Sequence, residues 1–282
     1  YSLFEPRLVN IDFYYIHRTW RASLQHRFTP KILTETMLSR SNISQTDGYV
    51  FLDNNTFFNN YKITSATFSV RWSPFSKFLK GPGKVVEFED NYPKFSAQVV
   101  QSFDGLLDGD FDFTKIGAKI DYQISRLNQS HTSILLEGDY SFGNIPLTHL
   151  FHAYPNAPTK ETILQRFSVA GRRSFETMYF SEFYSDRLAT LQVRHTLRPI
   201  KFSQRFKPEV VLISRHAIGN SSNQANHNRS YRTLEHGYNE AGLEVNKLFY
   251  GFGTSFAYRY GAYHLPSFGD NISFKFTFYL KL

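Results

Sequence analysis

The sequence predicts an all-β fold, a transmembrane antiparallel β-barrel of the outer-membrane type. Residues 271–282 alternate between apolar and polar side chains without a break. The 282 residues include 29 Phe and 18 Tyr, yet their mean hydropathy is slightly negative. A barrel reconciles these two facts, because its lipid-facing residues alternate with polar residues of the lumen. No stretch of the sequence approaches the ~20 consecutive apolar residues of a membrane-spanning helix.

The last strand carries the strongest single pattern. Its polar face includes Ser273, Lys275 and Lys281, and its apolar face comprises Ile272, Phe274, Phe276, Phe278, Leu280 and Leu282. A long, aromatic-rich strand of this kind is typical of the one that closes the last seam of a barrel. The predicted seam residues are therefore Ile272, Phe274, Phe276, Phe278 and Leu280. A soluble β-sandwich is the alternative, because one buried face produces the same alternation.

Composition limits the partners and the chemistry. The chain has no cysteine and a net charge of +8, and no long Lys/Arg run indicates nucleic acid. Interleaved cations suit a lumen or anionic lipid head groups equally well. We expect outer-membrane lipid and lipopolysaccharide as surroundings, client outer-membrane proteins or envelope subunits as partners, and no cofactor. Because neither an initiating Met nor a signal peptide is present, a mature form or a piece of a longer protein is predicted.

Eleven or twelve strands are predicted, each from the same alternation. The clearest covers residues 115–124, where Ile116, Ala118 and Ile120 oppose their charged or small neighbours. No turn signal separates the first two strands, which leaves open one long strand over residues 11–28 and a chain that begins inside the barrel. In order, the strands are 9–15, 20–28, 31–40, 64–72, 93–103, 115–124, 131–142, 181–197, 204–217, 237–249, 251–263 and 270–282.

Connection lengths support the same topology. Outer-membrane barrels have short turns on the periplasmic side and long loops outside. With the C-terminal end in the periplasm, the predicted short turns are 29–30, 126–130, 198–203 and 249–251, and the long loops are 41–61, 143–180 and 219–235. Two connections break the rule: residues 73–92 are long on the periplasmic side, and residues 104–110 are short outside. The sequence offers no explanation for the first exception.

A family resemblance rests on the order of several short motifs from about residue 63 to the end. They are RWSPFSKF (71–78), NYPKF (91–95), DFDFTK (110–115), GDYSFGNIP (138–146), FETMYFSEFYSDR (175–187) and YRYGAYHLPSFGDN (258–271). In this succession the chain resembles a Bacteroidetes outer-membrane family. Members of that family join an N-terminal carboxypeptidase-regulatory-like domain to a C-terminal barrel of the BamA-like, surface-antigen type.

The resemblance implies a sixteen-stranded barrel whose long sixth extracellular loop folds into the lumen. Five strands follow the 143–180 loop, as the family requires, but only six or seven precede it. We therefore predict that residues 1–282 form a single barrel domain, the C-terminal part of a longer protein. The implied function is insertion or translocation of envelope proteins through a weak seam. The alternatives are an accessory barrel or a passive pore in a larger complex.

The long loop provides the candidate site residues. The superfamily signature is an Arg-Gly-aromatic tip, and the nearest match here is the departing sequence Gly171-Arg172-Arg173-Ser174-Phe175. Arg172 or Arg173 is expected to pair with an inward carboxylate, Glu182 or Asp186, and so to fix the loop in the lumen by charge-assisted hydrogen bonds. Solvated loop charges are the other interpretation.

Catalysis and metal binding are weakly indicated, and no enzyme is predicted. His131 and Ser133 share a strand face, so the imidazole is placed to act as a general base, as in an outer-membrane phospholipase. The flanking phospholipase motif and an orienting acid or amide are missing, which makes a hydrolase the minor alternative. His131, His149 and His152 form only a weak metal pattern. Asp108, Asp110 and Asp112 lack the glutamate of a calcium loop, so ordinary turn roles are favoured.

Overall fold

The structure is a computed structural model that describes residues 3–4, 15–157, 169–200, 202–203, 206–249 and 251–278. No helix among these residues is both long and apolar enough to cross a membrane. The strands, in chain order, are β1 (Tyr15–Thr29), β2 (Ile32–Gln45), β3 (Phe51–Asp53), β4 (Thr56–Phe58), β5 (Asn60–Trp72), β6 (Lys77–Gly81), β7 (Lys84–Glu89), β8 (Lys94–Ser102), β9 (Phe113–Ser125), β10 (His131–Gly143), β11 (Pro155–Ala157), β12 (Phe175–Tyr179), β13 (Arg187–Thr196), β14 (Glu209–Asn220), β15 (Leu234–Phe249), β16 (Phe252–Tyr260) and β17 (Ile272–Phe278).

Eleven of these strands form one antiparallel sheet in the order β1-β2-β5-β8-β9-β10-β13-β14-β15-β16-β17. The lower predicted strand count is thus confirmed for the described residues, whereas the separate first strand falls mostly on residues outside them. The predicted strand 181–197 starts later, at Arg187, because Ser181 has a left-handed φ of 57° and Ser185 bridges to Phe151 instead. The predicted strand 204–217 covers Glu209–Asn220. Within the described residues, β1 and β17 are the two edges and do not pair.

The two faces of the sheet differ as the alternation predicts. On β17, Phe274 and Phe276 are 54% and 42% exposed on the outer face, whereas Lys275 and Thr277 on the inner face are almost fully buried. Ile272 and Phe278 share the outer face with these two phenylalanines, and Leu280 lies outside the described residues. The polar residues of the chain are thus concentrated inside, where other segments cover them.

Two segments fill the interior. The first, which we call the interior loop, belongs to the connection between β10 and β13 and comprises residues 144–157 and 169–186; within it β11 and β12 pair in parallel. The second is the pair Leu3 and Phe4. The Leu3 backbone bonds with Glu35 and Arg71, and a Cβ added to Gly117 would lie 3.2 Å from the Phe4 ring. Only glycine therefore leaves room for that ring.

Long connections gather at one end of the sheet, the long-loop end, and pack into an aromatic cap. The cap joins the connections between β2 and β5, β10 and β13, and β14 and β15. Its buried members include Tyr49, Phe51, Phe111, Leu147 and Tyr184. At the opposite, short-turn end, β1 and β2 are joined by only two residues and β15 and β16 by the same number.

The one long connection at the short-turn end is a separate hairpin. Residues 73–92 contain β6 and β7, which pair only with each other. Its base is closed by the hydrogen bonds that Ser76 exchanges with Asn91, and it is fixed to the barrel by the Ser73 amide, which donates to the Lys31 carbonyl at 2.9 Å. The exception in the predicted connection lengths is therefore an ordered element that projects from the sheet.

The two faces yield a direct test. Leu24 lies on the outer face of β1 and is 72% exposed, whereas Gln25 faces inward opposite Glu35. Leu24→Lys should lower the free energy of unfolding by about 2–4 kcal/mol, the cost of a cation against hydrocarbon. Gln25→Lys, one residue away, should be nearly neutral. Urea titrations in lipid vesicles measure both, and equal losses would contradict the facing of β1.

Candidate functional site

The interior loop is held by a buried glutamate that comes from the loop itself. Glu176 of β12 accepts hydrogen bonds from the Gly171 amide at 3.0 Å, the Ser174 hydroxyl at 2.8 Å and the Asn156 side-chain amide at 2.8 Å. The Nζ of Lys275, on the inner face of β17, donates to its Oε2 at 2.7 Å. Every lone-pair direction of this carboxylate is thus directed at a donor, which a buried charge requires.

A second buried ion pair lies next to the first. Arg215 of β14 donates to Glu240 of β15 at 2.8 Å and lies 3.8 Å from Glu176. The other Glu240 oxygen accepts from both the amide and the hydroxyl of Thr177 at 2.7 Å. These five residues, Glu176, Thr177, Arg215, Glu240 and Lys275, form the loop-anchoring cluster, which joins the loop to three strands.

The loop-anchoring cluster is electrically balanced and dry. Its two acids and two bases are each at most 2% exposed, so both charges of each pair have lost their hydration. Mutual attraction offsets that desolvation only while all four are present. The cluster therefore specifies one position for β12 more than it adds to overall stability.

Further ion pairs continue along the interior. Arg194 binds Glu244 through two hydrogen bonds, of 3.0 and 2.6 Å. Lys119 lies 3.1 Å from Glu137, which also accepts from the hydroxyl of Tyr154 in the interior loop at 3.1 Å. The loop is thus contacted by charged residues of strands on both sides of the lumen.

The predicted loop residues are placed differently from expectation. Phe175 is fully buried, whereas the Arg172 side chain is exposed. Arg173 lies 3.7 Å from Asp121 and not beside Glu182 or Asp186. Glu182 is bound by Arg259 through two hydrogen bonds, of 3.1 and 2.7 Å, and Asp186 accepts from the Ser222 amide. Among the described residues, strand β16 thus supplies the arginine that binds Glu182, and a pairing of Arg172 or Arg173 with Glu182 or Asp186 stays a prediction.

Sequence reasoning missed Glu176. It therefore also missed that the loop contributes the negative charge to its ion pairs with the strands. The expected arrangement had a loop cation and a strand carboxylate, but here the loop supplies the carboxylate and the strands supply Arg215 and Lys275. One signal was available: the inward neighbours of Arg215 along its strand are Ile213 and Ala217, and those of Lys275 are Ser273 and Thr277, so neither cation has a carboxylate two residues away. A charge at such a position needs a partner that the neighbouring strand or the loop must provide.

The interior loop also reaches the free edge of β17. The Ala170 amide donates to the Phe276 carbonyl at 2.8 Å, and Val169 bridges to Phe276 in parallel register. An edge strand presents unpaired backbone donors and acceptors. Val169 and Ala170 satisfy part of that edge from within the same chain.

A cavity remains on the other side of the interior. It has a volume of about 410 Å³ and is lined by β1, β2, β5, β8 and β9 together with residues 147–152 of the loop. His149 lies in its wall, and burial lowers the pKa of this imidazole to about 3. The interior is thus tightly filled beside β17 and loosely filled beside β1.

The residues considered for catalysis and metal binding have other neighbours. The His131 ring bonds with the Thr196 hydroxyl at 3.1 Å, on the inward face that it shares with Ser133. Among the described residues, no group of three His, Cys, Asp or Glu side chains is placed to hold a metal ion. Asp108 pairs with Arg40 and Lys62, whereas the Asp110 carboxylate accepts from the Lys62 amide. These aspartates fasten the 103–112 connection to β2 and β5.

A histidine holds the aromatic cap together. Tyr49 donates to His227 Nδ1 at 2.7 Å and accepts from the Leu147 amide at 2.9 Å, so it joins all three connections of the cap. Burial lowers the pKa of His227 to about 4. The neutral ring is the form that can accept this hydrogen bond.

Comparison with known proteins agrees with this architecture. The chain is similar to the crystal structure of BamA from Haemophilus ducreyi lacking POTRA domains 1–3, with a TM-score of 0.59 and 11% identity over 93% of this chain and 54% of that one. The fold is similar to the β-barrel of BamA, and its described part is one eleven-stranded antiparallel sheet. The predicted fold class is thereby confirmed, and the chain spans about half the length of the structure that it matches. At this identity the likeness concerns the fold alone.

A sequence match covers part of the chain. Residues 18–144 match the C-terminal domain model of a family of unknown function (DUF5686), a little under half of the length. None of the curated proteins matches the chain. The Bacteroidetes origin and the carboxypeptidase-regulatory-like domain remain predictions.

The loop-anchoring cluster predicts a strong effect of one neutralisation. Glu176→Gln leaves Lys275 buried without a carboxylate, so we expect the free energy of loop opening to fall by about 3–5 kcal/mol. The measurement is native-state proteolysis within residues 143–180. Adding Lys275→Met should recover much of the loss. Glu89→Gln, which breaks an exposed ion pair with Lys77, serves as the control, and it should leave the rate of proteolysis within the loop unchanged.

The buried histidine predicts acid sensitivity of the aromatic cap. The pKa of His227 is about 4 in the folded cap and near its ordinary value of about 6.5 in the unfolded one. Because the unfolded form then binds more protons, cap stability is complete above pH 6.5 and falls as the pH drops toward 4. Hydrogen exchange of residues 46–59 and 221–233 should report this fall, and His227→Gln should remove it. If the unchanged protein and His227→Gln show the same pH dependence of hydrogen exchange, His227 is not the group that makes the cap sensitive to acid.

Proposed function

We propose that this barrel acts in the outer membrane in the insertion or translocation of envelope proteins, through the edge of β17. The observation that supports the proposal is a contact that the interior loop makes with that edge. The Ala170 amide donates to the Phe276 carbonyl and Val169 bridges to Phe276, as residues of an added strand would. A client strand that arrives in extended form needs the same donors and acceptors.

The described contact at this edge is short, which favours exchange. The loop meets the β17 edge at Phe276, through the Ala170 amide and the bridge to Val169, whereas β17 pairs with β16 over seven residue pairs. A short contact costs little to break, so a client strand with more backbone hydrogen bonds could displace it. The BamA-like superfamily that the sequence resembles implies the same use of the seam.

An accessory barrel without clients is the second candidate, and a passive pore is a weaker one. The filled interior is unfavourable for a pore, because the interior loop, Leu3 and Phe4 occupy the lumen. A scaffold would instead keep the β17 edge permanently covered. The proposed insertion function therefore requires Val169 and Ala170 to leave the β17 edge, whereas a scaffold requires them to stay there.

The expected partners follow from the proposed function. They are unfolded outer-membrane proteins as clients and the lipid of the outer membrane as surroundings. The finer family assignment, with an N-terminal domain in the complete protein, belongs to the same proposal. No catalytic residue is proposed: His131 and Ser133 face the lumen, and the hydrogen-bond partner of the His131 ring in the described part of the chain is the Thr196 hydroxyl.

A reversible cross-link tests the function. Because these 282 residues lack cysteine, Val169→Cys with Phe276→Cys should form one disulfide that locks the loop to the edge. In vesicles containing the complete protein, we expect oxidation to slow the insertion of an unfolded small barrel to the rate of empty vesicles. Reduction should restore the faster rate. Heat-modifiability of the client on a denaturing gel measures the inserted fraction.

A matched disulfide serves as the control. Ala118 and Gly138 face each other in the regular β9–β10 pairing, so a disulfide between cysteines at these positions joins strands that are already neighbours and should leave insertion unchanged. If the locked β17 edge inserts clients at the normal rate, the edge is not the site of action. If the unlocked protein gives no acceleration over empty vesicles, the accessory-barrel function is preferred.

A further inference from the structure

The hairpin of β6 and β7 has two chemically different faces. Phe78 pairs with Glu87 on one face, and Leu79 pairs with Val86 on the other. Leu79 and Val86 are 60% and 44% exposed. Apolar side chains that are paired across two strands and left open in this way form a continuous surface, which a protein in water ordinarily covers.

Contacts of the first face show how the hairpin is turned. Glu87 accepts from Lys94 Nζ at 2.8 Å, and the Arg27 guanidinium lies 5.8 Å from the centre of the Phe78 ring. Lys94 and Arg27 both occupy inward positions of their strands, as their register with Asp121 and Leu33 shows. The Phe78 and Glu87 face is therefore turned toward the barrel interior.

The Leu79 and Val86 face must then point outward. That is the side on which Trp72 and Phe95 stack, with ring centroids 5.3 Å apart, at the ends of β5 and β8. The exposed hairpin surface thus continues the apolar outer surface of the sheet beyond its short-turn end. A lipid bilayer that covers the outer surface of the sheet therefore lies directly beside the hairpin surface.

The tip of the hairpin carries positive charge. Lys80 and Lys84 flank the turn formed by Gly81, Pro82 and Gly83, and both are exposed. Elsewhere on the hairpin, Lys77 is paired with Glu89 at 2.7 Å and Glu87 with Lys94. Among the described residues, no carboxylate lies within ion-pair distance of Lys80 or Lys84. Cations beside an apolar face are the pattern of a segment that lies in a membrane interface.

From these observations we propose that the β6–β7 hairpin is a membrane-interface anchor. Leu79 and Val86 enter the acyl-chain boundary of the leaflet at the short-turn end, and Lys80 and Lys84 bind the phosphates of its anionic phospholipids. The Ser73 amide, bound to the Lys31 carbonyl, and the Glu87–Lys94 pair hold the hairpin at a set angle to the sheet. This role is independent of client handling at the β17 edge.

Site-specific labelling tests the proposal in the complete protein. A fluorophore is attached to Leu79→Cys or, as the matched control, to Glu87→Cys on the opposite face of the same hairpin. In vesicles, lipids with a quencher in the acyl chain should quench the Leu79 label several-fold more than the Glu87 label. Equal quenching of both labels by an aqueous quencher would overturn the proposal. It would also be overturned if the Leu79 label became shielded from the aqueous quencher only after another envelope protein is added.

A second measurement tests the lysines. Quenching of the Leu79 label should increase when phosphatidylglycerol is added to phosphatidylcholine vesicles, and Lys80→Gln with Lys84→Gln should abolish that increase. Lys77→Gln removes one charge from a paired position and should preserve it. A lipid response that survives the double substitution would contradict the role of the two lysines. Client insertion should be unchanged in each variant, which keeps this test separate from that of the seam.

Discussion

Backbone hydrogen bonding at the edges of the eleven-stranded sheet is the constraint on which the rest of this structure depends. Hydrocarbon offers no partner for an unpaired amide or carbonyl, and each such group costs several kcal/mol. The β17 edge is accordingly approached by Val169 and Ala170 of the same chain. This contact covers Phe276 from within the same chain, so under the proposed function a client strand would have to displace it.

The loop-anchoring cluster explains how a loop from the far end can reach that edge. Lys275 lies on the inner face of the strand whose edge bonds to Ala170, and its Nζ binds Glu176. The loop therefore contacts β17 on two sides: Val169 and Ala170 lie at its edge, and Glu176 lies on its inner face. Because the charges are buried, a displacement of the loop that separated Glu176 from Lys275 would leave both uncompensated. Loop position and the state of the edge are thus energetically linked.

Much of the fold was predictable from the sequence, because the period of two is a local property. Outward positions such as Phe274 and Ile120 follow from alternation alone, and the register of a two-sided strand follows from its apolar face. The pairing of Arg215 with Glu240 was not predictable in this way. It depends on which strands become neighbours and on the register between them, and the sequence of one strand contains neither fact.

The interior loop shows the same limit more clearly. Its length predicted a functional segment, and its entry into the interior was expected from the family resemblance. Which loop residue meets which strand depends on how β11 and β12 pair within the loop. From residue type, Arg172 and Arg173 were the expected anchors, although the charged residue of that stretch that is fully buried is Glu176. Residue type alone does not show which way a short interior strand faces.

The two edges of the sheet are not equivalent, and the difference bears on how a seam could open. The inner face of β17 is buried against the interior loop, with Lys275 and Thr277 at 2% and 3% exposure. The inner face of β1, by contrast, borders the 410 Å³ cavity through His17 and Arg21, and most of its residues are exposed. Moving β17 would break buried ion pairs, whereas moving β1 would break few contacts inside the barrel. Under the proposed function, β17 would therefore be the fixed template for an added strand.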